Sequence, residues 1–188
     1  TGLKKIKTAV FISGTGSNLK SIIELSKKKR SPITIDLIFS NTRKAIGLKF
    51  ANLFNIKKRV FSHKNFKDTE KNILILLKKE KIEFICLAGF MKILSSNFIK
   101  KFDGKIINIH PSLLPKYKGL NTHHRAIKNK DKFAGCTVHY VTAKLDSGKI
   151  ILQKKIKIAT RDNSISLAKK VLKHEHKLYP AAIMKIFN

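Results

Sequence analysis

The chain of 188 residues has few cysteines, few arginines, few acidic residues and no long apolar run. Its two cysteines, Cys86 and Cys136, sit in strand-like apolar stretches without paired-ligand spacing. That argues against a disulfide framework or a zinc site and leaves both as small buried hydrophobes. No uncharged stretch approaches the ~18 residues that a membrane-spanning helix needs. The apolar run after Lys7 is too short for a signal peptide, so a soluble, cytoplasmic protein is expected. There is no internal repeat, low-complexity linker or compositional boundary, and the length suits one domain with a substantial core.

Acidic residues number 11 against 41 basic ones, a formal net charge of +30 that invites a nucleic-acid reading. Only five of the 41 are arginine (Arg30, Arg43, Arg59, Arg125, Arg161), the residue that bidentate phosphate and base recognition favours. The lysines are scattered through every segment, commonly on the polar side of helical patterns, as at Lys20, Lys27, Lys28 and Lys29. No aromatic-rich RNA-binding stretch accompanies them. Such a field draws in anionic small molecules, and neither a specific nucleic acid nor a membrane is expected as a partner.

What the chain does have is a strand and helix rhythm. Apolar runs bounded by turn residues recur at 6–12, 33–39, 59–61, 83–88 and 105–110. Between them, segments 17–29, 44–54, 67–80 and 95–101 carry apolar residues at three- and four-residue intervals. Strands alternating with helices predict a parallel α/β sheet with right-handed crossovers. After His110 the pattern changes to a loop, a helix near 123–129, and two strands, 134–142 and 149–159, that extend the sheet as an antiparallel pair. The tail from Asp162 or Asn163 reads as a capped helix that Pro180 should kink or divide.

The most informative stretch is Asn108-Ile109-His110-Pro111-Ser112. It sets an amide and an imidazole two residues apart at the end of the apolar run Ile106-Ile107. Side chains at i and i+2 of a strand share a face, so Asn108 and His110 point into the same space. Pro111 biases His110 toward extended geometry and helps end strand pairing. Downstream, Leu145-Asp146-Ser147-Gly148 places a carboxylate at a turn. Asparagine, histidine and aspartate together suit formyl or acyl transfer. The amide binds a developing oxyanion, the imidazole moves a proton near neutral pH, and the carboxylate holds or charges the imidazole. Gly14-Thr15-Gly16-Ser17-Asn18, between a strand and a helix, offers either backbone N–H groups for a phosphate or a tight turn with Ser17 or Asn18 as helix cap. It is not a dinucleotide fingerprint, because Leu19 takes the third glycine position and no acid ends the second strand.

These segments resemble the glycinamide ribonucleotide formyltransferases of purine biosynthesis. The likeness runs through Ile12 to Asn18, Leu87 to Leu94, Asn108 to Tyr117, Gly119, Thr122-His123 and Leu145 to Gln153, in the family's order and spacing over nearly the whole chain. The resemblance implies a Rossmann-like, mostly parallel sheet with helices on both faces, in a single formyltransferase domain over 1–188. Its phosphate-binding part would lie within about 1–100 and its folate and catalytic part within about 85–188. It implies transfer of a formyl group from 10-formyltetrahydrofolate, as co-substrate, to the amine of glycinamide ribonucleotide without a metal. By the same resemblance Asn108, His110 and Asp146 are catalytic, and Gly16, Ser17, Asn18 and Glu175 bind the ribonucleotide. Met91, Lys92, Ile93, Leu94, Asn108 and the loop Thr142, Ala143, Lys144, Leu145, Asp146 contact the folate.

Three departures stand out. Lys92 replaces the family's usual arginine, Lys67 is the nearest counterpart of a folate-contacting arginine, and Asn121 stands where many members have histidine. His174 and His176, two apart on a helix, face different ways and read as exposed residues rather than metal ligands. Two neighbouring families, the methionyl-tRNA formyltransferases and the formyltetrahydrofolate hydrolases, are expected to carry further domains that this length does not accommodate.

Overall fold

The structure is a computed structural model that describes residues 4–61 and 66–187. In chain order its elements are β1 (Ile6–Ile12), α1 (Ser17–Ser26), β2 (Ile33–Ser40), α2 (Lys49–Leu53), β3 (Lys58–Val60), α3 (Phe66–Lys79) and β4 (Phe84–Leu87). Then follow α4 (Ser96–Lys101), β5 (Lys105–His110), α5 (Thr122–Lys128), β6 (Phe133–Tyr140), β7 (Ile150–Lys157) and α6 (Ser164–Phe187). One seven-stranded sheet runs β3-β2-β1-β4-β5-β6-β7. The first five strands are parallel, whereas β5–β6 and β6–β7 pair antiparallel. The strand order reverses between β1 and β4, so a crevice opens beyond their carboxyl ends.

The parallel strands alternate between two cores, and a third cluster of Ala134, Cys136 and Ile156 with α5 and α6 covers the antiparallel edge. Val10, Ile12, Phe84, Cys86, Ile107, Ile109 and Val138 join α1 and the end of α6 on one face. Ala9, Phe11, Ile85, Leu87 and Ile106 join α3 and α4 on the other. Because β1 and β4 are covered on both faces, their sequences read as continuous apolar runs. Cys86 and Cys136 are both fully buried, and burial pushes the Cys136 thiol up to about 12.

Two local expectations change. The helix expected over 44–54 shrinks to a 3-10 turn, Ile46–Leu48, followed by the short α2. Gly47 lies in that turn because it packs against Gly16, an approach that leaves no room for a side chain. Pro180 does not divide the last helix, which runs unbroken from Ser164 to Phe187. Its buried stripe of Leu167, Val171, Glu175, Tyr179, Ala182 and Ile183 continues past the proline. Packing along that stripe outweighs the ~3 kcal/mol that an interior proline costs. Asn163 resolves the cap: its side-chain oxygen accepts from the N–H groups of Ile165 and Ser166 at 3.0 and 2.9 Å.

Candidate active site

Strand β5 ends inside the crevice. With Ile107 and Ile109 committed to the α1 face, Asn108 and His110 point to the other side. His110 is only 5% exposed. Its Nε2 lies 2.8 Å from the carbonyl oxygen of Tyr117, in the loop that follows Pro111. That loop is clamped from β6 and β7. The Thr137 hydroxyl donates to Ser112 O at 2.6 Å, Leu114 N donates to Thr137 Oγ1 at 3.2 Å, and the Gln153 amide donates to Leu114 O at 2.9 Å. Tyr117 has a φ of 55° and is held by its ring. Its hydroxyl donates to Asp131 at 2.7 Å, and the Arg125 guanidinium lies 4.9 Å from the ring centre.

Asp146 arrives from the β6–β7 connection with a φ of 45°, and its side chain is 7% exposed. Oδ2 lies 3.3 Å from His110 Nδ1 and accepts from the Gly119 N–H at 2.9 Å. The three residues expected to be catalytic therefore meet at one place. Sequence reasoning passed over a fourth, His139, which stands directly opposite Asn108 in the β5–β6 ladder. His139 Nε2 is 3.4 Å from Asn108 Nδ2 and 3.6 Å from Asp146 Oδ1, and its Nδ1 is 2.9 Å from Tyr140 O. Burial holds the His139 imidazole below its ordinary range, partly offset by the Tyr140 hydrogen bond and the Asp146 charge. The only sequence signal was a polar residue inside the run Thr137-Val138-His139-Tyr140-Val141.

The glycine-rich turn forms the second corner. Gly16 starts α1 with a φ of 75°, and a β-carbon on it would lie 2.6 Å from Gly47 Cα. The first intrahelical bond runs from Lys20 N to Gly16 O at 2.9 Å, so the N–H groups of Ser17, Asn18 and Leu19 have no partner within the helix. Neither Ser17 nor Asn18 is the cap, because Gly16 holds that position without a side-chain bond. Asn18 instead turns inward, and its amide donates to Glu175 Oε2 at 2.7 Å. This joins two residues of the expected ribonucleotide set across the length of the chain. Burial raises the Glu175 carboxyl above the usual range, against the lowering effect of Asn18. Beside the turn lies a groove of about 480 Å³ lined by Thr15, Ser17, Lys20, Phe50, His176 and Lys177 among others. His174 and His176 are half-buried rather than exposed, because the α6 stripe rotates both partly inward.

The third corner follows β4. Ser13, at the end of β1, donates its N–H to Gly89 O at 3.1 Å and accepts from the Met91 N–H at 2.8 Å. Glu70 in α3 accepts from Ser95 N at 2.7 Å, which fixes the other end of this loop. Met91 and Ile93 are 68% and 70% exposed, and Lys92 is exposed as well. The Leu94 side chain is buried in the α3/α4 core, so of the backbone and packing contacts expected there its backbone is the part left for a ligand. Thr142, Ala143, Lys144 and Leu145 line the exposed β6–β7 connection. Lys67 belongs to α3, but its side chain lies outside the described residues. Asn121 begins α5 with a φ of 58°, a left-handed conformation that asparagine adopts more readily than most residues. Among the described residues no group of three or more His, Cys, Asp or Glu is arranged to hold a metal ion. No described helix is long and apolar enough to cross a membrane.

Comparison with known proteins gives a uniform picture. Residues 6–183 match the family described as formyl transferase. The phosphoribosylglycinamide formyltransferase of Haemophilus influenzae is 42% identical over 180 residues, covering 94% of this chain and 85% of that protein. The human trifunctional purine biosynthetic protein adenosine-3 is 41% identical over 97% of this chain, which spans 18% of that longer protein. The crystal structure of phosphoribosylglycinamide formyltransferase from Brucella melitensis superposes with a TM-score of 0.92 at 41% identity, covering 97% of this chain and 96% of that one. The chain belongs to the formyl transferase family, and within it to the group of the phosphoribosylglycinamide formyltransferases.

Proposed function

We propose that the chain transfers the formyl group of 10-formyltetrahydrofolate to the amine of glycinamide ribonucleotide. The reading takes the chain as a single formyltransferase domain acting in the cytoplasm on two small molecules. The observation that carries it is the meeting of Asn108, His110 and Asp146 at the crevice, with His110 Nδ1 3.3 Å from Asp146 Oδ2. Acceptors flank both ring nitrogens of His110, Asp146 at one and the Tyr117 carbonyl at the other, so Asp146 orients the ring and the N–H at Nε2 exchanges the Tyr117 carbonyl for the substrate when it donates.

The amine lone pair attacks the formyl carbon, and the carbonyl electrons move to oxygen. The Asn108 amide and the His110 imidazolium donate to that oxyanion, and His110 serves as the general acid. Asp146 favours the imidazolium by its charge and, through a water, takes a proton from the amine. The bond between the formyl carbon and N10 then breaks, and N10 gains a proton, so one proton passes in net from the amine to the folate. A deprotonated amine is already a competent nucleophile, so the scheme calls for no metal.

Backbone N–H groups from Gly16 to Asn18 hold the phosphate at the start of α1, with Lys20 and Lys177 adding charge along the groove. Glu175, bound to Asn18, contacts the ribonucleotide. Met91, Lys92, Ile93, the backbone of Leu94, the loop 142–146 and Lys67 take the folate. The test is release of tetrahydrofolate with and without glycinamide ribonucleotide. Release that depends on the amine is expected. Equal release without it makes the chain a hydrolase, and release that depends on charged initiator tRNA moves it to the neighbouring transferase class.

A further inference from the structure

We infer that His139 is a positioning residue: its Nδ1–H is committed to the Tyr140 carbonyl, and its bare Nε2 accepts from Asn108 and so sets which way that amide faces the reacting carbonyl. This inference rests on the formyl-transfer reading of the site. An asparagine side chain has nearly the same shape in its two amide orientations, yet only one presents N–H to an oxyanion. Something must choose between them.

The choice follows from two contacts. A backbone carbonyl only accepts, so His139 Nδ1, 2.9 Å from Tyr140 O, carries the hydrogen. His139 is 3% exposed, and burial disfavours its charged form, which leaves Nε2 without a proton at neutral pH. A bare ring nitrogen accepts from N–H and repels a carbonyl oxygen. At 3.4 Å it therefore favours the orientation in which Asn108 Nδ2 faces it, and the second N–H of that amide is left for the substrate. The ladder enforces the meeting, because Asn108 and His139 are directly paired across β5 and β6. The charged and titratable groups that bear on His139 are Asp146 and His110. Oδ1 of Asp146 is 3.6 Å from Nε2, farther than Asn108. With Nε2 bare, the carboxylate keeps its charge for His110.

Two measurements test this. In the unsubstituted protein, the 15N resonances of His139 at pH 7 are expected to report a protonated Nδ1 and a bare Nε2. An Nε2–H tautomer or an imidazolium overturns the inference, and this measurement needs no activity. In kinetics, His139→Phe keeps the bulk and removes the acceptor. It is expected to lower kcat by about 10- to 100-fold, short of deleting an oxyanion donor outright, while both KM values stay within about threefold. His139→Gln, which restores an acceptor, is expected to recover most of the loss. A folded His139→Phe with turnover within about twofold of the parent overturns the inference, and so does a loss that appears in KM alone. If His139→Phe does not fold, failure of His139→Gln to hold kcat above a tenth of the parent value serves as the overturning result. A parent protein without amine-dependent release points instead to failure of the formyl-transfer reading, and the tautomer measurement then decides the inference alone.

Discussion

At the scale of single residues, Asp146 allows a clean substitution. Asparagine tolerates its φ of 45° and still offers an oxygen to the Gly119 N–H, so Asp146→Asn removes charge with little else. Turnover is expected to fall by orders of magnitude and the pH profile of kcat to shift, with the protein still folded and its change in melting temperature small beside the loss of turnover. Steady-state kinetics and a melting curve check this, and near-normal turnover at pH 7 sinks the assigned role. Gly16 is a poor probe of phosphate binding, because any β-carbon there strikes Gly47 first. Ser17 is a better one. An acid in the first helical turn suits the helix dipole but repels a phosphate held there. Ser17→Asp is expected to keep or raise the melting temperature while raising KM for the ribonucleotide about tenfold or more, with KM for the folate unchanged. Asn108, His110 and Asp146 were legible in the sequence because each sits in a short segment whose residue types state its chemistry. His139 was not, because its meaning comes from a neighbour across the ladder.

At the scale of elements, α6 ties the ribonucleotide corner to the sheet. The Tyr179 hydroxyl, fully buried, donates to Leu87 O at 2.9 Å and Ile107 O at 3.3 Å. Tyr179→Phe removes that donor, with an expected cost of roughly 1–3 kcal/mol in urea unfolding. Asn163→Ala, which removes the cap, is expected to cost about 1 kcal/mol in the same assay. Glu175 gives this helix a pH signature. Its folded-state pKa is raised by burial, so the folded protein keeps the proton where the unfolded chain has already released it. The resulting penalty is absent below the ordinary glutamate pKa of ~4.3, grows as pH rises, and is complete above the raised value. Glu175→Gln, whose oxygen still accepts from Asn18, is therefore expected to raise the melting temperature at pH 8 and to lose that advantage toward pH 4. An equal shift at both pH values contradicts the assignment. Sequence periodicity found this helix and its cap. Of the two outcomes expected at Pro180, a kink or a division, the division does not occur, because the proline rule is local whereas the buried stripe on both sides of it is not.

For the whole molecule, the parallel sheet and its antiparallel extension were readable from the alternation of apolar runs with helical spacing. The packing of Gly47 on Gly16, which breaks the helix expected over 44–54, was not, since no local pattern records a contact between distant glycines. The charge of +30 acts at this scale too. Of the acids, Asp36, Glu24, Glu80, Asp131 and Asp162 are each matched with a lysine, which leaves most of the basic excess facing solvent. Raising salt from about 0.05 to 0.5 M is expected to lower kcat/KM for the anionic ribonucleotide roughly tenfold and to raise the melting temperature, as attraction and self-repulsion are screened alike. A salt-independent kcat/KM rules out steering. The antiparallel turn at β6 has a consequence for how this chain tolerates insertions. Both faces of β6 are buried, so apolar patterning gives its register little protection. Gly135 supplies it, since a β-carbon there would stand 2.0 Å from Lys154 O. One residue gained between Gly135 and His139 would trade His139 for an apolar neighbour opposite Asn108, and the protein could keep its sheet while losing its chemistry. In that short span a frame of one residue separates a working enzyme from an intact but silent fold.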